Sequence, residues 1–197
     1  MTLETELKYF VSDFAPILER MERLGLSCTH WYFEENLVLD TGDGRLRSRD
    51  ELLRIRKGQG GKITLKLPVD GADPSCKQRQ EFESGVDNPD EIRIILSHLG
   101  FRPCLRYEKF RRICSLGETR ICLDILPFGS FVELEGPQES FHGTAIELGL
   151  DSHEKTALNY HELHQEYQRE HGLSPALDFV FEENQKKDLA RKLNVKL

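Results

Sequence analysis

Taken at every second residue, the strand-like stretches of this chain divide into an apolar face and a charged face, and the charged face carries both signs. Glu4, Glu6 and Lys8 alternate with Leu3, Thr5 and Leu7; Arg54 and Arg56 alternate with Leu53 and Ile55; Lys62, Thr64 and Lys66 alternate with Ile63, Leu65 and Leu67. Lys77, Arg79, Glu81 and Glu83 share a face opposite Phe82, and Lys109 shares one with Arg111. Arg120 and Asp124 fall together, while Glu133 and Glu135 oppose Val132 and Leu134. Side chains alternate across a strand with period two, so each stretch needs cover on one side and a home for charge on the other. Two arrangements meet that need. An open sheet can turn its charges to water. A closed antiparallel barrel with helices outside can turn them inward, which also removes exposed edges. Charges confined in a lumen are costly unless they meet one another, water, metal or an anionic ligand. A metal-bound triphosphate satisfies both signs at once: carboxylates suit Mg²⁺ or Mn²⁺, while Arg and Lys donate charge-assisted hydrogen bonds to phosphate oxygens.

The runs number eight: residues 2–11, 29–39, 52–57, 62–68, 77–84, 105–116, 119–126 and 130–135. Gly58-Gln59-Gly60-Gly61 joins two of them, and residues 114–124 read as a hairpin turning at Gly117, so neighbours pair antiparallel. Ser12 or Asp13 starts a helix with Phe14, Ile17, Leu18, Met21 and Leu24 at helical spacing, closed by Gly25. Asn88-Pro89-Asp90-Glu91 opens a second helix that ends at Gly100. After Gly136 the pattern turns helical through His171, and beyond a connection at Gly172–Pro175 a polar helical segment ends in DLARKLNVKL. The expected fold class is therefore α+β, with one domain over 1–172, open sheet or closed barrel, and a helical extension over 173–197 that is either an appendage or an oligomer contact; a homodimer is compatible with it.

With 197 residues and 38% hydrophobic content the chain can build its own core. A net charge of −7 argues against nonspecific nucleic-acid binding. The longest apolar runs are broken by charge, which argues against a membrane span. Five cysteines, odd in number and without CxxC spacing, follow no N-terminal signal peptide; they read as reduced, mostly buried thiols of a cytoplasmic protein.

The opening Glu4-Thr5-Glu6-Leu7-Lys8 resembles the ExExK signature of the CYTH or triphosphate tunnel superfamily, which includes class IV adenylyl cyclases, thiamine triphosphatases and inorganic triphosphatases. The similarity continues in order through LRIR (53–56), ITLK (63–66), QRQEFE (78–83), EKFRR (108–112) and LDILPFGSFVELEG (123–136), covering about residues 2–165. LGFRP, EKFRR and the last of these segments look closest to the class IV adenylyl cyclase group. The resemblance implies an eight-stranded tunnel. Within it, Glu4, Glu6, Glu133 and Glu135 are metal-site carboxylates, with Asp124 or Glu83 as additions, and Mg²⁺ or Mn²⁺ is the cofactor. It implies Lys8, Arg54, Arg56, Lys66, Lys109 and Arg111 as triphosphate contacts; salt bridging across the lumen is the plainer role for the same six. No catalytic acid or base is assigned. The implied substrate is ATP, thiamine triphosphate or tripolyphosphate. The reaction is then cyclisation of ATP or release of orthophosphate, with a noncatalytic polyphosphate or nucleotide sensor as a third reading. Where relatives carry Lys-Ser-Tyr, this chain has Leu158-Asn159-Tyr160, with Lys155 as a candidate replacement.

Four other signals have plainer readings. Gly58–Lys62 lacks the full phosphate-loop spacing and leads into a strand, so it is a turn. His161 and His164 read as surface residues, and Trp31, Tyr32 and Phe33 as wall packing. Residues 42–51 read equally as a lid over a tunnel mouth and as a solvated loop.

Overall fold

The computed structural model describes residues 2–197. In chain order the elements are β1 (Thr2–Val11), α1 (Ala15–Arg23), β2 (Tyr32–Thr41), α2 (Arg45–Ser48), β3 (Leu52–Lys57), β4 (Gly61–Leu67) and β5 (Lys77–Val86). There follow α3 (Pro89–His98), β6 (Phe101–Leu116), β7 (Thr119–Leu126), β8 (Gly129–Glu135), α4 (Gln138–Leu148), β9 (Lys155–Thr156), α5 (Tyr160–Glu170) and α6 (Glu183–Leu193). Around the sheet the order is β5-β4-β3-β2-β6-β7-β8-β1, and pairing of β1 with β5 closes it. Every one of these pairings is antiparallel, so the closed eight-stranded barrel is the arrangement the alternation allowed. β1 is the closing stave: residues 2–6 pair with β5, residues 6–11 with β8, and Lys8 and Tyr9 also meet β9.

The outward apolar faces are covered by helices. Leu7, Tyr9, Val11, Ile121, Leu123, Val132 and Leu134 pack with Ile17 and Met21 of α1 and with Phe141, Ala145 and Leu148 of α4. A second cluster beneath α3 joins Leu53 and Ile55 to Ile92 and Leu96. At the β3–β4 turn Gly61 must be glycine, because a Cβ there would lie 2.4 Å from the Val86 carbonyl oxygen and from Pro89.

Several boundaries differ from expectation. β2 begins at Tyr32, since Thr29 only bridges to Ile113. β6 begins at Phe101, straight after the left-handed Gly100, which makes it long enough to reach beyond β7 and pair with all of β2. The helical stretch after Gly136 is two helices separated by β9, because Gly149 takes a left-handed conformation and ends α4. Residues 42–51 contain a helical turn, α2, organised by Asp40, whose carboxylate accepts from the Leu46 and Arg47 amides at 2.8 and 3.1 Å.

The cysteine expectation is overturned in part. Cys28 and Cys114 form a disulfide across the contact between the segment preceding β2 and β6, leaving Cys76, Cys104 and Cys122 free. Two residues 86 apart in sequence are brought together by a β-bridge that spacing motifs do not encode, and the inference from thiol state to compartment goes with it. Among the described residues no helix is long and apolar enough to cross a membrane.

The C-terminal segment docks on the barrel. Phe179 makes a parallel bridge to Tyr107, with hydrogen bonds from its amide to the Arg106 carbonyl and from the Glu108 amide to its own carbonyl, both 3.1 Å. Buried Glu108 accepts from the Phe181 amide (3.1 Å) and from Lys186 of α6 (2.6 Å), fastening the tail to β6.

Candidate active site in the barrel lumen

The inner face lines a cavity of about 810 Å³, reached by Glu4, Glu6, Lys8, Arg54, Arg56, Lys66, Lys109, Arg111, Glu133 and Glu135. Strand order sorts them. β8, β1 and β5 are neighbours and carry Glu133, Glu135, Glu4, Glu6 and Glu81, with Lys77 and Arg79 at the start of β5. Round the rest of the ring, β4, which borders β5, and then β3 and β6 carry Lys62, Lys66, Arg54, Arg56, Lys109 and Arg111, with β2 between β3 and β6. An acid-rich wall thus faces a base-rich wall.

Each wall holds an opposite charge within it. Lys8, 1% exposed, lies 2.5 Å from Glu6 and 3.1 Å from Glu133. On the basic side Glu34, 2% exposed, lies 3.6 Å from Lys109 and 3.7 Å from Arg56. Burial would raise the Glu34 carboxyl, but Lys109, Arg111, Arg56 and Arg54 outweigh it and hold it down at about 2. Lys66 and Arg111 span the seams. Lys66 contacts Glu4 and Glu81, while Arg111 meets Glu133 at 2.8 Å and Glu135 at 3.6 Å.

The two additional carboxylates are held by cations of their own. Asp124, fully buried, accepts from Arg111 Nε (2.6 Å), Lys109 (3.2 Å) and the Tyr160 hydroxyl (2.6 Å), so its oxygens are taken up in holding those groups. Glu83 accepts from Arg56 (3.0 Å), Thr64 (3.2 Å) and Lys62 toward the basic side. One Arg111 nitrogen meets both Asp124 and Glu133, so Asp124 borders the carboxylates of β8.

The acidic wall is short of positive charge. Burial, with Glu6, Glu135 and Glu81 nearby, raises the Glu4 carboxyl to about 8 despite Lys66. Burial and Glu133 push Glu135 up as well. Glu133 goes the other way: burial opposes its charge, but Lys8, Arg111 and Lys109 prevail. Carboxylates crowded together on one buried wall, Glu4 and Glu135 among them pushed toward protonation, are what a hard divalent cation relieves, so the oxygen donors of Glu4, Glu6, Glu133 and Glu135 fit Mg²⁺ or Mn²⁺ by donor chemistry. Cys122 of β7 points into the same region: its sulfur and oxygens of Glu133 and Glu135 lie within 4.8 Å of one another.

Tyr160 owes its place to the cap of α5. Asn159 accepts from the Glu162 amide (2.9 Å) and Glu162 accepts from the Asn159 amide (2.8 Å), a reciprocal capping box. That fixes Tyr160 as the first helical residue, with Lys8 and Lys109 5.1 and 5.3 Å from its ring centroid. Lys155 does not stand in for the missing lysine, because it lies exposed on β9, paired with Tyr9. The histidine reading also changes: His164 is buried, its ring 4.9 Å from that of Phe179. Trp31 and Phe33 pack as wall residues against Phe14 and Phe110. Residues 42–51 stand at the cavity mouth, where Asp50 binds Arg79 at 2.6 Å. Glu34, Cys122, Tyr107 and the C-terminal residues were missed. Alternation could have found the first three; nothing in the sequence marks the last.

Comparison with known proteins agrees with this geometry. The model of the CYTH domain matches residues 2–174. A candidate adenylate cyclase of Methanocaldococcus jannaschii is 30% identical over 135 residues, 68% of this chain and 76% of the relative. A solved structure of a candidate adenylate cyclase from Vibrio parahaemolyticus superposes with a TM-score of 0.69 at 20% identity, over 83% of this chain and 98% of that one. An adenylyl cyclase candidate from Hippeastrum, described as having a dominant triphosphatase activity, gives 0.65 at 18% identity over 90% and 99%.

Proposed function

This chain belongs to the CYTH domain family, and from that premise we propose that it is a divalent-metal-dependent enzyme that converts ATP to cyclic AMP and pyrophosphate inside the barrel. The observation that carries the reading is the facing pair of walls, acid-rich on β8, β1 and β5 and base-rich on β4, β3 and β6. A polyanion chelating a divalent cation has the matching polarity.

Glu4, Glu6, Glu133 and Glu135 would hold the metal, which when bound supplies Lewis acidity at phosphate oxygens and offsets their charge. The chain's own cations do the rest. Arg54, Arg56, Lys66, Lys109 and Arg111 donate to the phosphate oxygens, and Lys8 bridges from the acidic side. Their positions are set before substrate arrives: Asp124 and Tyr160 fix Lys109 and Arg111, Glu34 fixes Arg56 and Lys109, and Tyr107 accepts from Arg54 at 2.9 Å. Prepaid orientation of this kind lowers a barrier without reorganisation during reaction. For cyclisation the ribose 3′-hydroxyl attacks the α-phosphorus, the bond to the bridging oxygen breaks, and pyrophosphate leaves into the basic wall, which neutralises its growing charge.

The second reading is a triphosphatase, in which water attacks the terminal phosphorus in the same cavity. The Hippeastrum neighbour with dominant triphosphatase activity supports it. The test is to incubate the protein with ATP, thiamine triphosphate and tripolyphosphate, with Mg²⁺, Mn²⁺ or chelator, and to resolve the products by chromatography. Metal-dependent cyclic AMP with pyrophosphate is expected. Orthophosphate without cyclic AMP would replace the first reading by the second, and no turnover despite tight binding would leave a sensor.

A further inference from the structure

The cavity does not end at the charged walls. Beside Arg54 the lining includes an apolar stretch, Val38, Leu52, Leu105, Tyr107, Leu177 and Phe179, on a cavity wall that also carries Arg47, Asp50 and Arg102. The change is abrupt: Val38 is the Cα partner of Arg54 across the β2–β3 ladder, so the first apolar side chain is the immediate neighbour of a cation. Leu177 and Phe179 lie after residue 174, where the match to the CYTH domain stops. They belong to the tail that β6 recruits, with Phe179 held by backbone hydrogen bonds to Arg106 and Glu108.

Tyr107 joins the two regions. Its hydroxyl accepts from Arg54 at 2.9 Å, while its ring lies nearly parallel to that of Phe179, centroids 5.0 Å apart at 22°. Phe179 is 3% exposed and braced from behind by Phe128 and His164. Leu177 is 46% exposed although it lines the cavity. An apolar side chain left open on the wall of a cavity, with a rigid aromatic floor beside it, leaves area for a ligand to cover. A cavity of about 810 Å³ is of the size that encloses a drug-sized molecule, whereas a bare phosphate chain would leave the apolar part empty.

We infer that the residues following the CYTH match build an apolar shelf at the end of the phosphate site, and that this shelf takes the organic group of an organic triphosphate. The inference rests on the triphosphate reading above and narrows it: the preferred substrate carries a ring-bearing organic group, and inorganic tripolyphosphate is the poorer one. Leu177 acts in specificity, since its side chain carries no group that can donate to phosphate.

The experiment compares KM and kcat for ATP, thiamine triphosphate and tripolyphosphate in the unaltered 197-residue chain and in Leu177→Ala, with circular dichroism to confirm the fold. Leu177 is half exposed, so its truncation leaves the core intact. The expected result is a KM about fivefold higher for whichever organic triphosphate the wild type prefers, with tripolyphosphate changed by less than about twofold, as loss of partial apolar burial predicts. A KM that rises equally for all three substrates, or for none, overturns the shelf while leaving the triphosphate site standing. A wild type that turns over tripolyphosphate more efficiently than both organic substrates overturns it as well. Failure of the wild type to bind any of the three with metal overturns both readings. The ATP and thiamine triphosphate arms separate a nucleoside from another ring as the occupant.

Discussion

Glu4 is where the cost of the acidic wall is concentrated. Its carboxyl stands at about 8 against an ordinary 4.5, first because it is buried and then because Glu6, Glu135 and Glu81 surround it. The sign of the consequence follows from which state holds the proton more tightly. The folded metal-free chain binds it better than the unfolded chain, so stability contributed by this group is present below 4.5 and is lost as pH rises toward 8. A divalent ion must displace that proton, so apparent Mg²⁺ or Mn²⁺ affinity should climb with pH up to about 8 and level off above it. Glu4→Gln should flatten this profile in a metal titration. It should also lower metal-dependent turnover by about 100-fold or more, the upper end of what even an outer-shell partner of a metal costs, while circular dichroism stays unchanged. Full activity in both Glu4→Gln and Glu135→Gln would remove these residues from the metal site. The facing of each of these side chains was legible from alternation alone; which cation each carboxylate meets was not. Asp124, Glu83 and Glu133 look the same in sequence, and only the folded barrel gives Asp124 Arg111 and Tyr160, Glu83 Arg56 and Lys62, and Glu133 Arg111 and Lys8 as partners.

At the scale of elements, the barrel strands write themselves in a period of two, which is why their faces can be read before folding. The C-terminal segment has no such code. Its attachment depends on Glu108, an outward-facing acid on β6 that is 3% exposed because Phe181 and Lys186 cover it. Removing one partner of a buried charge pair leaves the other uncompensated. Glu108→Ala should therefore destabilise the protein by about 3 kcal/mol in denaturant unfolding and raise hydrogen exchange over residues 178–193. Unchanged exchange there would show that Glu108 does not hold the tail. The disulfide belongs to this scale too. Cys28 and Cys114 meet only because the segment before β2 bridges β6, a contact that no local spacing records. α5 shows the converse. Its cap, Asn159 with Glu162, is a local signal, and through it a departure from the family's Lys-Ser-Tyr still delivers Tyr160 to Asp124.

For the molecule as a whole, closure makes the lumen a single electrostatic object. An acid-rich and a base-rich wall, each with a counter-charge embedded, remain compatible with a folded apo state because Lys8, Lys66, Arg111 and Glu34 stitch them. On the proposed function, a metal-bound triphosphate would exchange those internal pairs for external ones. Binding of the metal and of the triphosphate should then be coupled, each strengthening the other. The direct measurement is isothermal titration of a nonhydrolysable ATP analogue into the protein with Mg²⁺, with Mn²⁺ and with chelator, repeated on Arg54→Ala. The two-wall account predicts that either metal tightens binding by at least about tenfold, within the usual range of such coupling, and that Arg54→Ala weakens it in every condition. Affinity that is the same with metal and with chelator, and unchanged by Arg54→Ala, would contradict it.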